Sequence, residues 1–265
     1  MKTLLYLHGM GGGADSRIPS ILSDWLASQR PDVRVVVRTY DFHPFRAAEQ
    51  IDAWYEELQP VLVIGESLGA NHALALYARL TSGRGAATPR GSAETYPSGG
   101  MLPRSAAAPL PTDVPAQAPL PPLLLVSPAL NAPKFLYALR GFARIPAIHR
   151  WLNRIYKPRE GDRQTLDFAP ETLQAWGAYR NIADAFSPSD AVTGVRRPQA
   201  FFGRHDHYRR SGVVSIRQWR RLFGPDSYTL YDGTHFMEEP FIRSLLIPAI
   251  LSRLSSSASP TGKVE

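Results

Sequence analysis

Six short apolar runs punctuate the chain: Leu4–Leu7, Val33–Val37, Val61–Ile64, Leu123–Val126, Ala200–Phe202 and Tyr228–Tyr231. Most are continuous in apolar character rather than alternating, the pattern of strands covered on both faces of a parallel sheet. Between them the period changes. Ile18, Ile21, Leu22, Trp25 and Leu26 recur at helical spacing, as do Ile51, Trp54, Tyr55 and Leu58. A last helix near Glu238–Leu254 places Phe241, Leu245 and Leu246 on one face. This alternation predicts an α/β fold with an open, mostly parallel, doubly wound sheet of about six strands and right-handed crossovers.

Two stretches interrupt the rhythm. Residues 82–121 are rich in Ala, Pro, Gly and Ser and poor in branched or aromatic side chains. They bury too little apolar area to offset chain ordering, so they read as a flexible insertion at a loop position. The second stretch, Asn131–Phe186, carries Phe135, Leu139 and Phe142, then Ile148, Trp151, Leu152 and Ile155, as amphipathic stripes. Two readings stay open: ordinary packing on the sheet, or a helical cap over the strand ends, where such sheets place their sites. As a cap, Phe135, Leu139, Phe142 and Trp151 would roof a substrate pocket. The expected organisation is a core of residues 1–81, 122–130 and 187–254, the insertion 82–121, the cap 131–186 and a disordered tail 255–265.

Composition narrows the chemistry. The 265 residues contain no cysteine, which excludes disulfides, thiolate metal sites and a cysteine nucleophile. The hydrophobic fraction of 44% suits an ordinary core. The N-terminal apolar run is too short for a signal-peptide core, and no run reaches the ~20 residues needed to span a bilayer. A cytoplasmic protein without integral membrane contact is the expectation. The formal charge of +7 reflects many arginines, among them Arg196, Arg197, Arg209, Arg210, Arg220 and Arg221. A basic face can meet nucleic acid or anionic lipid, but no finger, helix-turn-helix or base-stacking motif accompanies it. The plain reading is a solvated surface, with no nucleic-acid partner.

The chemistry concentrates at "VIGESLGAN", where Ser67 stands between Gly65 and Gly69 directly after an apolar run. Gly-x-Ser-x-Gly is weak alone, but between a strand and a helix it describes a sharp turn that presents a nucleophile. A serine hydroxyl needs a base. His235, in "YDGTHFMEE", follows the last strand and precedes the last helix. The base needs an orienting acid, and Asp206 in "FFGRHDHY" lies just past a strand's C-terminal end. Asp190 in "SPSDAV" is the rival carboxylate. His205 and His207 flank Asp206 without further ligands, a poor zinc site, so no metal or other cofactor is expected. "LLYLHGMGGG" supplies a small-residue loop whose Met10 amide, with that of Leu68, can face an oxyanion. The loop fits neither a dinucleotide fingerprint nor a P-loop, and His8 shapes it rather than titrating in catalysis.

With "LLYLHGM", "VIGESLGA", "LLVSPAL", "FFGRHDHY" and "DGTHFMEE" together, the chain resembles an α/β-hydrolase, in particular the small bacterial esterases that begin on the oxyanion-loop strand. That resemblance implies a serine hydrolase of the carboxylesterase or thioesterase type, acting on a small-molecule acyl ester or thioester without a cofactor. An acyltransferase using the same residues is the runner-up enzyme. A non-catalytic binding module with a basic face is the alternative from another class.

Overall fold

The computed structural model describes residues 1–82, 120–155, 161–185 and 197–256. Its centre is a six-stranded, wholly parallel sheet in the order β2-β1-β3-β4-β5-β6. The strands are β1 (Lys2–Leu7), β2 (Val33–Val37), β3 (Leu62–Glu66), β4 (Leu123–Val126), β5 (Gln199–Gly203) and β6 (Tyr228–Tyr231). Each matches an apolar run. The largest departure is β3, which starts one residue later than the run and continues to Glu66.

Strand side chains alternate between faces, and the core divides accordingly. Leu5, Leu7, Val63, Leu125, Ala200 and Phe202 pack on one side with α2 (Pro44–Leu58), α3 (Gly69–Ser82) and α7 (Ile216–Phe223). Leu4, Tyr6, Leu62, Ile64, Leu124, Val126 and Phe201 pack on the other. There they meet Ile18, Leu22 and Leu26 of α1 (Arg17–Gln29) and the C-terminal helix α8. Helix α8 runs from Glu239–Phe241 through a π turn at Ile242–Leu246 into Ile247–Ser256. Because both faces are buried, the central strands β1, β3, β4 and β5 read as largely apolar runs, whereas the edge strands β2 and β6 are partly exposed.

A third cluster lies outside this sandwich. Helices α4 (Ala132–Ala143), α5 (Pro146–Ile155) and α6 (Pro170–Ala175) follow β4. Their Leu136, Ala143, Leu152 and Leu173, with Phe168, Trp176 and Tyr179, close on Phe42, Leu68 and Ala75. Leu68 directly follows Ser67, so this helical layer packs beside the motif and not only on the sheet face. Phe42 meets Phe168 and Trp176 at ring separations of 5.4 and 5.7 Å. Buried aromatic and aliphatic side chains of this kind contribute ~1.5–3 kcal/mol each.

The strand order also creates a crevice. The chain leaves β1 for β2 on one side and returns to β3 on the other, so the loops after β1 and β3 diverge at the sheet's C-terminal edge. Most of the expected insertion (83–119), the rival Asp190 and the tail beyond residue 256 lie outside the described residues. Among the described residues no helix is long and apolar enough to cross a membrane.

Candidate active site

Ser67 terminates β3 with φ +50°, a left-handed conformation that a serine adopts only under constraint. The constraint is visible. Its N–H donates to the Val126 carbonyl at 2.9 Å and its own carbonyl accepts from the Ala129 amide at 3.1 Å. The flanking glycines are steric necessities. A Cβ on Gly65 would meet the Ala70 Cα at 2.8 Å, and one on Gly69 would collide with the Leu7 and His8 carbonyls. Helix α3 therefore starts hard against the end of β1, and the serine is pushed up to the crevice.

His235 reaches Ser67 from the loop after β6. Its Nε2 lies 2.8 Å from Ser67 Oγ, and its Nδ1 lies 2.8 Å from Asp206 Oδ2. The Asp206 carboxylate favours the tautomer with hydrogen on Nδ1, leaving Nε2 as the acceptor of the hydrogen bond from the Ser67 hydroxyl. Asp206 and His235 are both buried, at 3% exposure. The loop carrying His235 is itself pinned. Thr234 donates its hydroxyl to Glu238 Oε1 at 2.6 Å, and Tyr231 donates to the Thr234 carbonyl at 2.8 Å. The His205 amide donates to the Gly233 carbonyl at 2.9 Å, tying the β5 and β6 loops together. Tyr208 packs edge-on against the His235 ring at 4.6 Å.

The two other histidines of this loop turn elsewhere. His205 pairs with exposed Asp232 at 2.9 Å, while His207 packs tilted against Tyr208 at 4.0 Å and edge-on to His235 at 6.3 Å, without a hydrogen bond to the relay. No group of three metal-ligating side chains comes together among the described residues.

The loop after β1 borders the same cavity. Gly12 N–H donates to the Gly9 carbonyl at 2.9 Å, and Gly11 takes φ +71°. His8 donates from Nδ1 to the Gly9 carbonyl at 2.8 Å, stacks on Tyr40 at 4.2 Å, and has its carbonyl held by the Tyr40 hydroxyl. Burial lowers the His8 pKa to about 4, so the ring is neutral at physiological pH. It is a wall of the loop. Among the described residues the Met10 and Leu68 amides have no protein acceptor, and both residues line the cavity that also contains Ser67 and His235.

That cavity has a volume of about 540 Å³. Phe135, Leu136, Leu139 and Phe168 from the helical layer form its apolar wall. Of the four residues expected to roof a substrate pocket, Phe135 and Leu139 line this cavity. Phe142 and Trp151 do not: they face water, 59% and 58% exposed. Helical geometry explains the difference. Leu136 and Ala143 on α4, and Leu152 on α5, take the inward face, and a neighbour one residue away is rotated by about 100°.

Sequence patterning missed three contributors. Glu66, the variable residue before the nucleophile, also lines the cavity and accepts from the Tyr6 hydroxyl at 2.7 Å. Burial pushes its carboxyl up, and the bond from Tyr6 opposes that. Arg17 donates to the Phe236 carbonyl and, at 3.1 Å, to that of Met237, bracing the histidine loop from α1. Gln164, buried in an irregular segment, accepts from the Gly11 amide at 3.1 Å. Its backbone N–H donates to Gly12 O at 2.7 Å, and its Nε2 to the carbonyls of Tyr40 and Asp41 at 3.2 and 3.3 Å. None of the three sits in a periodic pattern. Glu66 alone carried a signal, as an acid at the end of an apolar strand.

No family model matches the chain. Its structure is similar to several solved ones at low sequence identity. The monoacylglycerol lipase of Paleococcus ferrophilus is 15% identical, with 97% of this chain and 95% of that one covered and a TM-score of 0.54. Est1E of Butyrivibrio proteoclasticus, solved with ferulic acid bound, is 12% identical, with coverage of 96% and 90% and a TM-score of 0.57. The thioesterase domain from the curacin biosynthetic pathway is 16% identical, with coverage of 94% and 90% and a TM-score of 0.51. The fold is that of the α/β-hydrolases.

Proposed function

We propose that this chain is a serine hydrolase that cleaves a carboxylic ester or thioester through an acyl-enzyme on Ser67. The observation that carries the reading is the unbroken relay Ser67 Oγ–His235 Nε2 and His235 Nδ1–Asp206 Oδ2, each step 2.8 Å, at the wall of a largely apolar cavity. Ser67 attacks the acyl carbon while His235 takes its proton. On this mechanism the charge that develops on the carbonyl oxygen is met by the Met10 and Leu68 N–H groups, whose residues line the cavity. As the intermediate collapses, His235 returns the proton to the departing alkoxide or thiolate. Water then attacks the acyl-serine as His235 takes its proton, and His235 gives that proton to Ser67 Oγ as the carboxylic acid leaves. Asp206 keeps its hydrogen bond to Nδ1 throughout and stabilises the imidazolium.

The cavity supports an acyl substrate. Phe135, Leu136, Leu139 and Phe168 form an apolar wall beside the serine, and each buried CH₂ of an acyl chain there would contribute ~0.8 kcal/mol. On this reading α4–α6 serve as the cap of the site. The solved esterase, lipase and thioesterase of the same fold make ester and thioester cleavage the nearest chemistry to test.

A fluorophosphonate probe tests the mechanism, because it reacts with an activated serine and ignores an ordinary one. Wild-type protein is expected to be labelled stoichiometrically and to hydrolyse p-nitrophenyl esters or acyl thioesters. Ser67→Ala should lose both properties with an unchanged melting curve. Wild-type turnover in the purified variant would overturn the proposal.

A further inference from the structure

We propose that the outer face of α4 and α5 docks on an anionic lipid surface. Phe135, Ala138, Phe142 and Ile145 are exposed and fall at helical spacing, forming one stripe along α4 and the turn after it. Trp151 and Ile155 are exposed one turn apart on α5, which packs against α4. Ile145 and Ile155 are 49% and 52% exposed. This much apolar surface on adjoining helices marks an interaction face.

The charge on the same helices selects the partner. Residues 120–155 contain Lys134, Arg140, Arg144, Arg150 and Arg154 and no Asp or Glu. Arg140 lies over the Tyr137 ring at 3.6 Å, whereas Lys134, Arg144, Arg150 and Arg154 are exposed. Those four make no ion pair among the described residues. The adjoining acids are few: Glu171 on α6, and Asp167, whose oxygens are engaged by Ala169 N–H and the Thr172 hydroxyl. Nucleic acid would use the cations but would leave Phe142, Ile145, Trp151 and Ile155 in water. The boundary between lipid headgroups and acyl chains takes both, with aromatic and aliphatic side chains inserted and arginines on the phosphates.

Phe135 belongs both to the stripe and to the cavity wall. Docking would therefore bring the cavity mouth towards the lipid. It does not depend on the hydrolase reading, and the experiment separates the two.

Sedimentation with vesicles, in a Ser67→Ala background so that no lipid is consumed, measures docking alone. The chain should sediment with phosphatidylglycerol–phosphatidylcholine vesicles at low salt, be released by high salt, and ignore pure phosphatidylcholine. Each cation near an anionic surface contributes roughly five-fold to partitioning. The triple variant Arg144→Glu, Arg150→Glu, Arg154→Glu should thus lose about a hundred-fold or more, and Ile145→Ser with Ile155→Ser should weaken binding further. Should the triple variant melt early, Arg→Gln at the same three positions provides the same test. Reversal of Arg217 and Arg220 on α7 should leave binding intact. Absence of vesicle binding overturns the proposal, as does binding that survives the α5-face substitutions or falls equally with those on α7. A concentration-dependent dimer abolished by Ile145→Ser, without vesicle binding, would show that a second copy covers this face instead. With Ser67 restored, the triple variant should still hydrolyse a soluble short-chain ester at the wild-type rate.

Discussion

Asp206 uses its two oxygens for different purposes. Oδ2 holds His235, while Oδ1 accepts from the Tyr208 amide at 2.8 Å and caps the short turn His207–Arg209. The cap fixes the plane of the carboxylate, so the bond to the imidazole inherits its direction from the backbone. Asparagine is nearly the same shape, and with its oxygen on the Tyr208 N–H it turns an NH₂ towards His235. That favours the tautomer with hydrogen on Nε2, which cannot take the serine proton. Asp206→Asn is therefore expected to lose about 10⁴ in kcat, the scale of the same change in other serine triads, with little change in melting temperature. Asp190→Asn should keep near-wild-type turnover. Steady-state kinetics on both variants decide the assignment, and a crippled Asp190→Asn beside an active Asp206→Asn would move the acid to the other loop.

The loop after β1 does not hold its shape alone. The segment that follows α5 lies across it, with an antiparallel bridge between Gly13 and Arg163 and with Gln164 inserted behind Gly11. Gln164 holds the Gly11 amide, and on the proposed mechanism it thereby orients the adjoining Met10 amide. Gln164→Ala leaves the Gly11 amide and the Tyr40 and Asp41 carbonyls without this partner, and a lost donor of oxyanion-hole type costs ~10²–10³ in kcat. A fall of about ten- to a hundred-fold in kcat is expected, since the Met10 donor is misdirected rather than deleted, while KM for a short ester stays near wild type. Gln164→Glu, which keeps the acceptor for Gly11, should recover part of the loss. Unchanged kcat in a folded Gln164→Ala would reduce this residue to a packing role. Its contribution is invisible in the sequence because its partners lie more than a hundred positions away and its own segment has no period. The elements themselves were legible for the opposite reason. Central strands buried on both faces must be apolar throughout, so the runs marked the strands, and the ends of β3, β5 and β6 marked the loops carrying Ser67, Asp206 and His235. Adjacent apolar pairs such as Phe142–Ala143 and Trp151–Leu152 gave no such answer. Both members satisfy a helical period, and only the packing decides which one turns inward.

Two histidines tie the stability of the whole molecule to pH. His72 on α3 is buried against Tyr40, Trp176 and Tyr179, and neither of its ring nitrogens has a partner among the described residues. Burial, followed by repulsion from His8 and Arg79, lowers its pKa to about 3, and burial lowers that of His8 to about 4. The ordinary value of 6.5 applies to both once the chain unfolds. Between pH 6.5 and these folded values the unfolded state binds more protons, so stability falls as pH falls. By pH 4 each histidine costs on the order of 3 kcal/mol, against a total of ~5–15 kcal/mol for a typical domain. Glu66 acts in the opposite sense: its raised carboxyl pKa disfavours the folded state as pH rises above 4.5, so acid relieves that cost. The net expectation is full stability near neutrality and acid unfolding that sets in below pH 6. His72→Leu separates the contributions. It removes two unpartnered nitrogens and a buried base at similar volume, so the melting temperature at pH 7 should be equal or higher, and the decline from pH 6.5 to 4 should be about half as steep. Thermal melts of both proteins across that range measure it directly. Parallel declines would mean that His72 is not the group taking up the proton, and that the acid sensitivity enters through His8 and the loop it walls.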